Sequence, residues 1–375
     1  RYTERMARGF IIRSAYCASL ALFFGDACGG DANEKSEDNT EAGAGAGTAS
    51  GGAGRASAAG KAGAAERAGA GSGASAAAGV GGDTQNTNSQ SARLGPCPAF
   101  PADDIWNRNV EHARVSDAWT THVRALVGAK RLHPDYGNSG SDHYGIPINV
   151  VPTTQASSSI TFDYADESDP GPYPFPEPTR IRIEGGTATQ CEGDCHVLVV
   201  QEGTCKLYEG YACHYDAGHW QCGSGAIWDL TRKSEGQRPI GYTSADAAGL
   251  AIAPGLVRYD EAQSGEINHA IRFTLHCSRA SYVAPATHQA VPGGCRDNPD
   301  APPMGLRVRL RSDYDLKQFS GAALAVARAM QRYGMILADN GSDFYFQGEQ
   351  DTRFSEDDVE PLKTIPTDAF EALEP

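Results

Sequence analysis

Apolar and polar residues alternate over short stretches through most of the chain after residue 94, a pattern typical of β-strands with one buried face. Strands are predicted at residues 160–164, 181–183, 195–200, 206–209, 225–230, 269–275, 306–310, 335–338 and 344–346. The consecutive strands at 195–200 and 206–209 are predicted to form a hairpin across the turn at Glu202 and Gly203.

Helical spacing of apolar residues is found at two places. Residues 117–127 carry an apolar stripe after Ser116, which is a favourable N-cap residue. A second helix is predicted to begin after Ser320, with Phe319 and Leu324 in the positions of a hydrophobic staple, and to end at Gly334. These elements together predict a mainly β domain over residues 94–375, a sandwich or jelly-roll-like pair of sheets with a few helices.

The first 93 residues have a different composition. Residues 1–28 combine arginines, a short apolar run and small residues before Cys28, as an export signal does. The residues around Cys28 resemble a bacterial lipoprotein box, although Asp26 replaces a small apolar residue, so a plain cleaved signal and a cytoplasmic protein with a chance match are the alternatives. Residues 29–93 are rich in Gly, Ala and Ser, and such a segment cannot bury a core, which predicts a disordered linker.

The chain is acidic, with a formal net charge of −15. Nucleic-acid binding requires clustered Lys and Arg, which the sequence lacks, so no nucleic-acid partner is predicted. Contact with a membrane is expected only through a lipid on Cys28. We expect a monomer in an extracellular or outer-membrane location, with a neutral or cationic partner suiting this charge better than a polyanion.

Eight cysteines lie in the predicted domain, at positions 97, 191, 195, 205, 213, 222, 277 and 295. An even number in an exported protein predicts disulfides, and the paired Cys-x2-Cys motifs of structural zinc sites are absent. The cysteines from 191 to 222 are close enough in sequence to pair with one another, and Cys277 is close to Cys295. Bound zinc is the alternative, and the connectivity stays open.

No established catalytic motif is present, so candidate chemistry rests on clusters of polar residues. His196 shares a strand face with Leu198 and Val200, which suits either a core histidine or a functional one, and Glu209 on the partner strand is placed to orient it. Asp246 lies among small residues, as a helix cap or as a carboxylate facing a cleft.

The densest cluster precedes and enters the strand at residues 269–275. Alternation places His269 on an apolar face and Arg272 on the other, while Glu266 follows a turn just before them. A carboxylate and an imidazole at this spacing are suited to acid–base catalysis, and we predict that Glu266 and His269 lie together in the main cleft, with His196 or Asp246 nearby. The alternative is an ion-paired sheet surface.

Substrate binding is assigned to Arg272, Trp228, Tyr259 and His288, because sugars stack on aromatic rings and bond to charged groups. A metal site formed by His196, His269 and His288 is a weaker alternative, since no ligand spacing supports it. The sequence therefore predicts neither a metal nor a cofactor.

Five segments resemble a family of secreted hypothetical proteins of soil bacteria. They are FPADDIWN at 100–107, YADESDPGPY at 164–173, TSADAAGL at 243–250, PGLVRYDE at 254–261 and YGMILADNGS at 333–342. The resemblance covers nearly all of residues 94–375, and the cysteines from 191 to 222 look like an addition to it. It implies export and a single module, and it assigns no catalytic residue.

Export, a β-rich domain, and clustered acids, histidines and aromatics together predict a carbohydrate-active enzyme, a polysaccharide hydrolase or lyase. Glu266 and Asp246 are then the acid and base of hydrolysis. In a lyase, His196 or His269 is the base and Arg272 neutralises a substrate carboxylate. The alternative function is a non-catalytic extracellular module that binds a glycan or a protein.

Overall fold

The computed structural model describes residues 92–137, 144–293 and 295–375. The predicted export signal, Cys28 and almost all of the predicted linker lie outside the described residues. Helices α1–α4 span Asp117–Val127, Tyr259–Ser264, Gly321–Arg332 and Glu356–Val359. Short 3-10 helices span Ala165–Glu167, Ala253–Gly255, Glu360–Thr364 and Thr367–Ala369. None of the described helices has the length and apolar character that crossing a bilayer requires.

The strands of the described residues, in chain order, are β1 Arg93–Leu94, β2 Cys97–Pro98, β3 His133–Asp135, β4 Ile148–Val151, β5 Ile160–Phe162, β6 Gly186–Thr187, β7 Gln190–Cys191, β8 Val197–Gln201, β9 Lys206–Tyr211, β10 His214–Asp216, β11 His219–Cys222, β12 Ser224–Asp229, β13 Ile271–Leu275, β14 Arg307–Leu310, β15 Met335–Asn340, β16 Tyr345–Gln347 and β17 Phe370–Ala372. The domain is mainly β with few helices, which confirms the predicted fold class.

Two larger sheets dominate the fold. One has the strand order β12-β9-β8-β4, and the other has the order β17-β14-β15-β13-β16-β3. Their neighbours are antiparallel except for three parallel pairs, β4 with β8, β13 with β15, and β16 with β3. A three-stranded sheet, β10-β11-β5, and two two-stranded sheets complete the set.

Strict alternation along the four-stranded sheet sends its side chains into two different cores. Leu198 and Val200 of β8 belong to the large core that also contains Phe273 of the six-stranded sheet. Val197 and Val199 belong to a smaller core beneath the three-stranded sheet. Because successive residues of a strand point to opposite faces, one five-residue strand links both cores. The residue before this strand, His196, follows the same alternation.

The local predictions agree closely with the structure. Helix α1 has the predicted bounds, with the Ser116 hydroxyl accepting from the Trp119 N–H, and β8 and β9 form the predicted antiparallel hairpin. Helix α3 and strand β15 follow one another as expected. Residues 181–183 form only an isolated bridge between Ile183 and Gly186 instead of a strand.

Four disulfides join all eight domain cysteines, as predicted. Cys191 pairs with Cys195, Cys213 with Cys222, and Cys277 with Cys295, each within a short stretch of chain. The fourth bond joins Cys97 to Cys205 across 108 residues. This number of disulfides indicates an oxidising, extracytoplasmic environment.

Candidate functional site

His196 directly precedes strand β8 and has both ring nitrogens hydrogen-bonded. Its Nδ1 is 2.5 Å from Oε2 of Glu184, and its Nε2 is 3.1 Å from the carbonyl oxygen of Ala245. Both partners are acceptors, so the ring satisfies them only by donating from both nitrogens, as an imidazolium does. Burial opposes this charge, but the charge and hydrogen bond of Glu184 outweigh burial and raise the pKa of His196 to about 9.

Glu184 is the partner that the sequence reasoning missed. Its Oε2 faces both Nδ1 and, at 3.4 Å, the backbone N–H of His196, and its own N–H donates to the His196 carbonyl. Burial favours the neutral carboxyl, yet the His196 charge overcomes it and lowers the pKa of Glu184. Glu184 is therefore held ionised while 24% of its side chain stays exposed.

Asp246 and Arg272 form a buried ion pair close to His196. The Nη2 and Nε atoms of Arg272 lie 3.0 and 3.4 Å from the two carboxylate oxygens of Asp246, whose side chain is 0% exposed. Burial raises the pKa of Asp246, and the Arg272 guanidinium opposes that rise. No helix follows Asp246, so it is a buried counter-ion rather than the helix cap that the sequence allowed.

A β-bulge brings a further carboxyl, Asp339, to this ion pair. Between the pairs Phe273–Leu337 and Thr274–Asp339 the register shifts, leaving Ala338 as the extra residue on β15. The carbonyl of Ala338 accepts from the N–H of Ala248, two residues after Asp246. The bulge therefore joins strand β15 to the turn at residues 246–249, here called the Asp246 turn, which the bond from the Gly249 N–H to the Asp246 carbonyl closes.

Asp339 is the partly exposed acid of the group. Its Oδ2 lies 3.9 Å from Nη2 of Arg272, and 25% of its side chain is exposed. Burial and then the charge of Asp246 raise the pKa of Asp339 to about 7, against the opposing effect of Arg272. At neutral pH this carboxyl is therefore close to half protonated.

Asp194 completes the group from within the Cys191–Cys195 loop. Ligand atoms of Glu184, Asp194 and His196 all lie within 4.8 Å of one another. The charge of Asp194 also raises the pKa values of both His196 and Asp339, which places it near each of them. We call Glu184, Asp194, His196, Asp246, Arg272 and Asp339 the Arg272 cluster.

The Arg272 cluster has a buried inner layer and a partly exposed outer layer. His196, Asp246 and Arg272 are buried, whereas Glu184, Asp194 and Asp339 are partly exposed. Four carboxyl groups face two cations, and burial, followed by the charge of Asp246, is why one of them, Asp339, keeps a proton near neutral pH. Two accessible carboxyls with pKa values moved in opposite directions can act as an acid and a base.

A metal ion at Glu184, Asp194 and His196 would compete with bonds already made. Both His196 nitrogens face protein acceptors, so a ligand role would require breaking its bond to Glu184. The other proposed histidines are engaged elsewhere: His269 contacts Glu261, and His288 contacts the Ala247 carbonyl. The structure does not assemble the three histidines into a ligand set.

The predicted pairing of Glu266 with His269 is wrong. His269 is fully buried, with its Nε2 2.9 Å from Glu261, which also bonds to Arg258 at 2.7 Å. Glu261 reaches them because helix α2, which the sequence reasoning missed, begins at Tyr259, and the Arg258 backbone N–H at its start donates to the Glu261 carboxylate at 3.0 Å. Glu266 is exposed in a separate groove of about 150 Å³ beside Arg328 and Arg332 of α3.

The predicted substrate-binding residues are dispersed. Trp228 is 2% exposed, packs edge-on against Phe100 and donates to Glu209, so it is a core residue and cannot stack on a sugar. Tyr259 is half-buried in α2, where the Arg353 guanidinium lies 4.2 Å from the centre of its ring.

His288 lies beside the Asp246 turn, because its Nδ1 is 2.8 Å from the Ala247 carbonyl. Arg272 is buried in its ion pair, so it holds the cluster together instead of facing solvent.

Glu209 does not orient His196 as predicted. Its carboxylate accepts from the N–H groups of Ile252 and Ala253 and from Nε1 of Trp228, all inside the core. Burial raises the pKa of Glu209 to about 7, against these hydrogen bonds. Glu209 fastens the segment around Ile252 to strand β9, which is a structural role.

No protein-family model, curated protein or solved structure matches this chain.

The pH dependence of stability tests the charged state of His196. A folded pKa of about 9 against an unfolded 6.5 stabilises the protein fully below pH 6.5, and this contribution is lost as pH rises towards 9. We expect the free energy of unfolding to fall by about 3 kcal/mol over this interval. His196→Gln should flatten the decline in urea titrations at pH 6, 7.5 and 9. An equally steep decline in His196→Gln would contradict a charged His196.

Proposed function

We propose that the protein is an exported glycoside hydrolase with its active site at the outer layer of the Arg272 cluster. The main support is that the pKa values of two partly exposed carboxyl groups are shifted in opposite directions. The pKa of Asp339 is raised to about 7, and the pKa of Glu184 is lowered. Glycoside hydrolysis uses such a pair: one carboxylic acid protonates the leaving oxygen, and an ionised carboxylate serves as base or nucleophile.

The roles follow from the protonation states. Asp339 donates its proton to the glycosidic oxygen as the bond to the anomeric carbon breaks. Glu184 removes a proton from the water that attacks the same carbon, or attacks it directly. Both hydrogen bonds that the Glu184 carboxylate accepts from His196 fall on Oε2, which favours Oε1 as the oxygen that meets water or substrate.

Hydrolysis is favoured over lyase chemistry because the base and the cation that a lyase needs are engaged in other contacts. Elimination needs a free base, and His196 donates from both nitrogens to protein acceptors. Elimination also needs a cation for the substrate carboxylate, and Arg272 is buried against Asp246. The proposal includes an extracellular polysaccharide as substrate, a monomeric protein, and surface attachment through a lipid on Cys28.

Asp339→Asn tests the proposal directly. We expect the parent protein to release reducing ends from at least one member of a polysaccharide panel, and Asp339→Asn to lower kcat/KM about 100-fold or more. The parent rate should fall as pH rises through about 7, because the acid must be protonated, and this limb should disappear in the variant. Glu184→Gln should also lose activity.

Glu266→Gln is the matched control, since Glu266 is an exposed acid outside the Arg272 cluster. It should retain the parental rate and pH profile. Full activity in Asp339→Asn would refute the proposed site. A parent that binds a glycan of the panel but never cleaves it would replace the hydrolase with a glycan-binding module.

A further inference from the structure

Two large apolar side chains are exposed on the segment that leads into the Asp246 turn. Ile240 is 74% exposed and Tyr242 is 37% exposed, two residues apart. Scattered exposed apolar residues are ordinary on a protein surface, so exposure alone assigns no role. This pair differs from other exposed apolar residues because hydrogen bonds hold its backbone in place and because it lies next to the Arg272 cluster.

The backbone that carries the pair is held in place by hydrogen bonds. The N–H of Gly241 donates to the Thr287 carbonyl at 2.8 Å, and the Thr287 hydroxyl donates to the Tyr242 carbonyl at 3.0 Å. The N–H of Thr243 donates to Glu167 at 3.0 Å. Because these bonds order the segment before any ligand arrives, binding there would cost little further backbone entropy.

A buried arginine supports the Tyr242 ring from one side. Arg238 donates to Asp169 at 2.8 Å and to the carbonyl oxygens of Glu167 and Thr243. Its guanidinium carbon lies over the Tyr242 ring, 5.9 Å from the ring centre. The arginine thus lies over the Tyr242 ring, while 37% of the residue stays exposed to solvent.

The segment adjoins the Arg272 cluster through the Asp246 turn. Gly249 has a φ of +72°, and a Cβ there would lie 2.6 Å from the Tyr242 carbonyl oxygen, so the two backbones are in close contact. The N–H of Gly249 donates to the Asp246 carbonyl, and the Thr243 hydroxyl donates to the same oxygen. The exposed pair and the buried acid Asp246 are thus parts of one small hydrogen-bonded unit.

We propose that Ile240 and Tyr242 form a stacking surface for a sugar ring of a neutral glycan that extends across the Arg272 cluster. This inference rests on the proposed function and adds the substrate class. Pyranose rings present an apolar face that suits an aromatic ring and an aliphatic neighbour. The four carboxyl groups of the cluster face only two cations, so chains of uronic acids would be repelled.

Binding measured without turnover tests the stacking surface. The background is full-length Asp339→Asn, and the probes are cellohexaose, xylohexaose, mannohexaose, laminarihexaose, N-acetylated chitohexaose and the anionic hexagalacturonate. We expect isothermal titration to detect binding of at least one neutral probe and none of hexagalacturonate. Adding Tyr242→Ala should raise the Kd about tenfold or more, and adding Ile240→Ser should raise it by less.

Tyr144→Ala is the control, because Tyr144 is an exposed tyrosine, 46% against 37% for Tyr242, that precedes the segment pairing with Glu349. It should leave the Kd unchanged. An unchanged Kd in Tyr242→Ala, tighter binding of hexagalacturonate, or binding of none of the probes would overturn the inference. Binding that depends on Tyr242 in a protein that never cleaves glycans would refute the hydrolase and leave the stacking surface standing.

Discussion

Arg272→Leu is expected to lower the free energy of unfolding by about 3–5 kcal/mol, because it leaves a buried carboxylate without its counter-ion. Asp246 is completely buried, and its oxygens accept both hydrogen bonds from this guanidinium. Asp339 loses the same cation, so the pKa values of both acids should rise further. Urea denaturation at neutral pH, with the disulfides intact, measures the loss.

Two further variants distinguish the cost of an unpaired buried charge from the cost of simply removing an arginine side chain. The double variant Arg272→Leu/Asp246→Leu should recover part of the lost stability, since neither charge is then left unpaired in the core. Arg353→Leu removes a half-exposed arginine that pairs with the exposed Asp260 and with Asp351, and it should cost less stability than Arg272→Leu. A loss in Arg272→Leu no larger than about 1 kcal/mol, the upper value for an exposed ion pair, would show that Asp246 does not depend on Arg272.

Replacing Cys97 and Cys205 together with alanine is expected to cost about 5 kcal/mol of stability, the entropy of closing a loop of this length in the unfolded chain. The bond closes 108 residues and ties the β1–β2 pair to the turn between β8 and β9. Since the unfolded chain gains more freedom from opening a long loop than a short one, this disulfide should matter most for stability. Urea titrations under non-reducing conditions measure the effect.

The Cys191–Cys195 bond provides the matched comparison. It closes only four residues, so removing it should cost about 2 kcal/mol in the same measurement. Its loop contains Asp194 and leads directly into His196, so its removal should impair hydrolysis more than its stability cost suggests. Equal losses of stability for the two bonds would show that loop length does not govern them.

The sequence alone determined the elements whose causes are local. Helix α1 was predicted from its cap and apolar stripe, and the β8–β9 hairpin from alternation on both sides of a Gly turn. Disulfide formation followed from the even number of cysteines, and the closeness of Cys277 to Cys295 indicated that pair, whereas the other pairings stayed open. Each of these rests on contacts within a few residues along the chain, which periodicity and turn chemistry encode directly.

The Arg272 cluster was only partly visible in the sequence. His196, Asp246 and Arg272 were each identified as candidates, but the partners assigned to His196 and Asp246 were wrong or missing. Glu184 precedes His196 by 12 residues outside any predicted pairing, and Asp339 lies 67 residues after Arg272. A Glu-Gly-Gly turn at 184–186 and the Asp-Asn-Gly strand end at 339–341 were the available signals.

Tertiary structure decided which charges meet. The pairing of β13 with β15 is parallel and joins segments about 60 residues apart, and the bulge at Ala338 sets where Asp339 faces. The six-residue helix α2 is too short to show a period, yet it places Glu261, and not Glu266, within hydrogen-bond distance of His269. Such contacts depend on sheet order and register, which arise when the whole core packs, so a one-dimensional pattern of residues does not contain them.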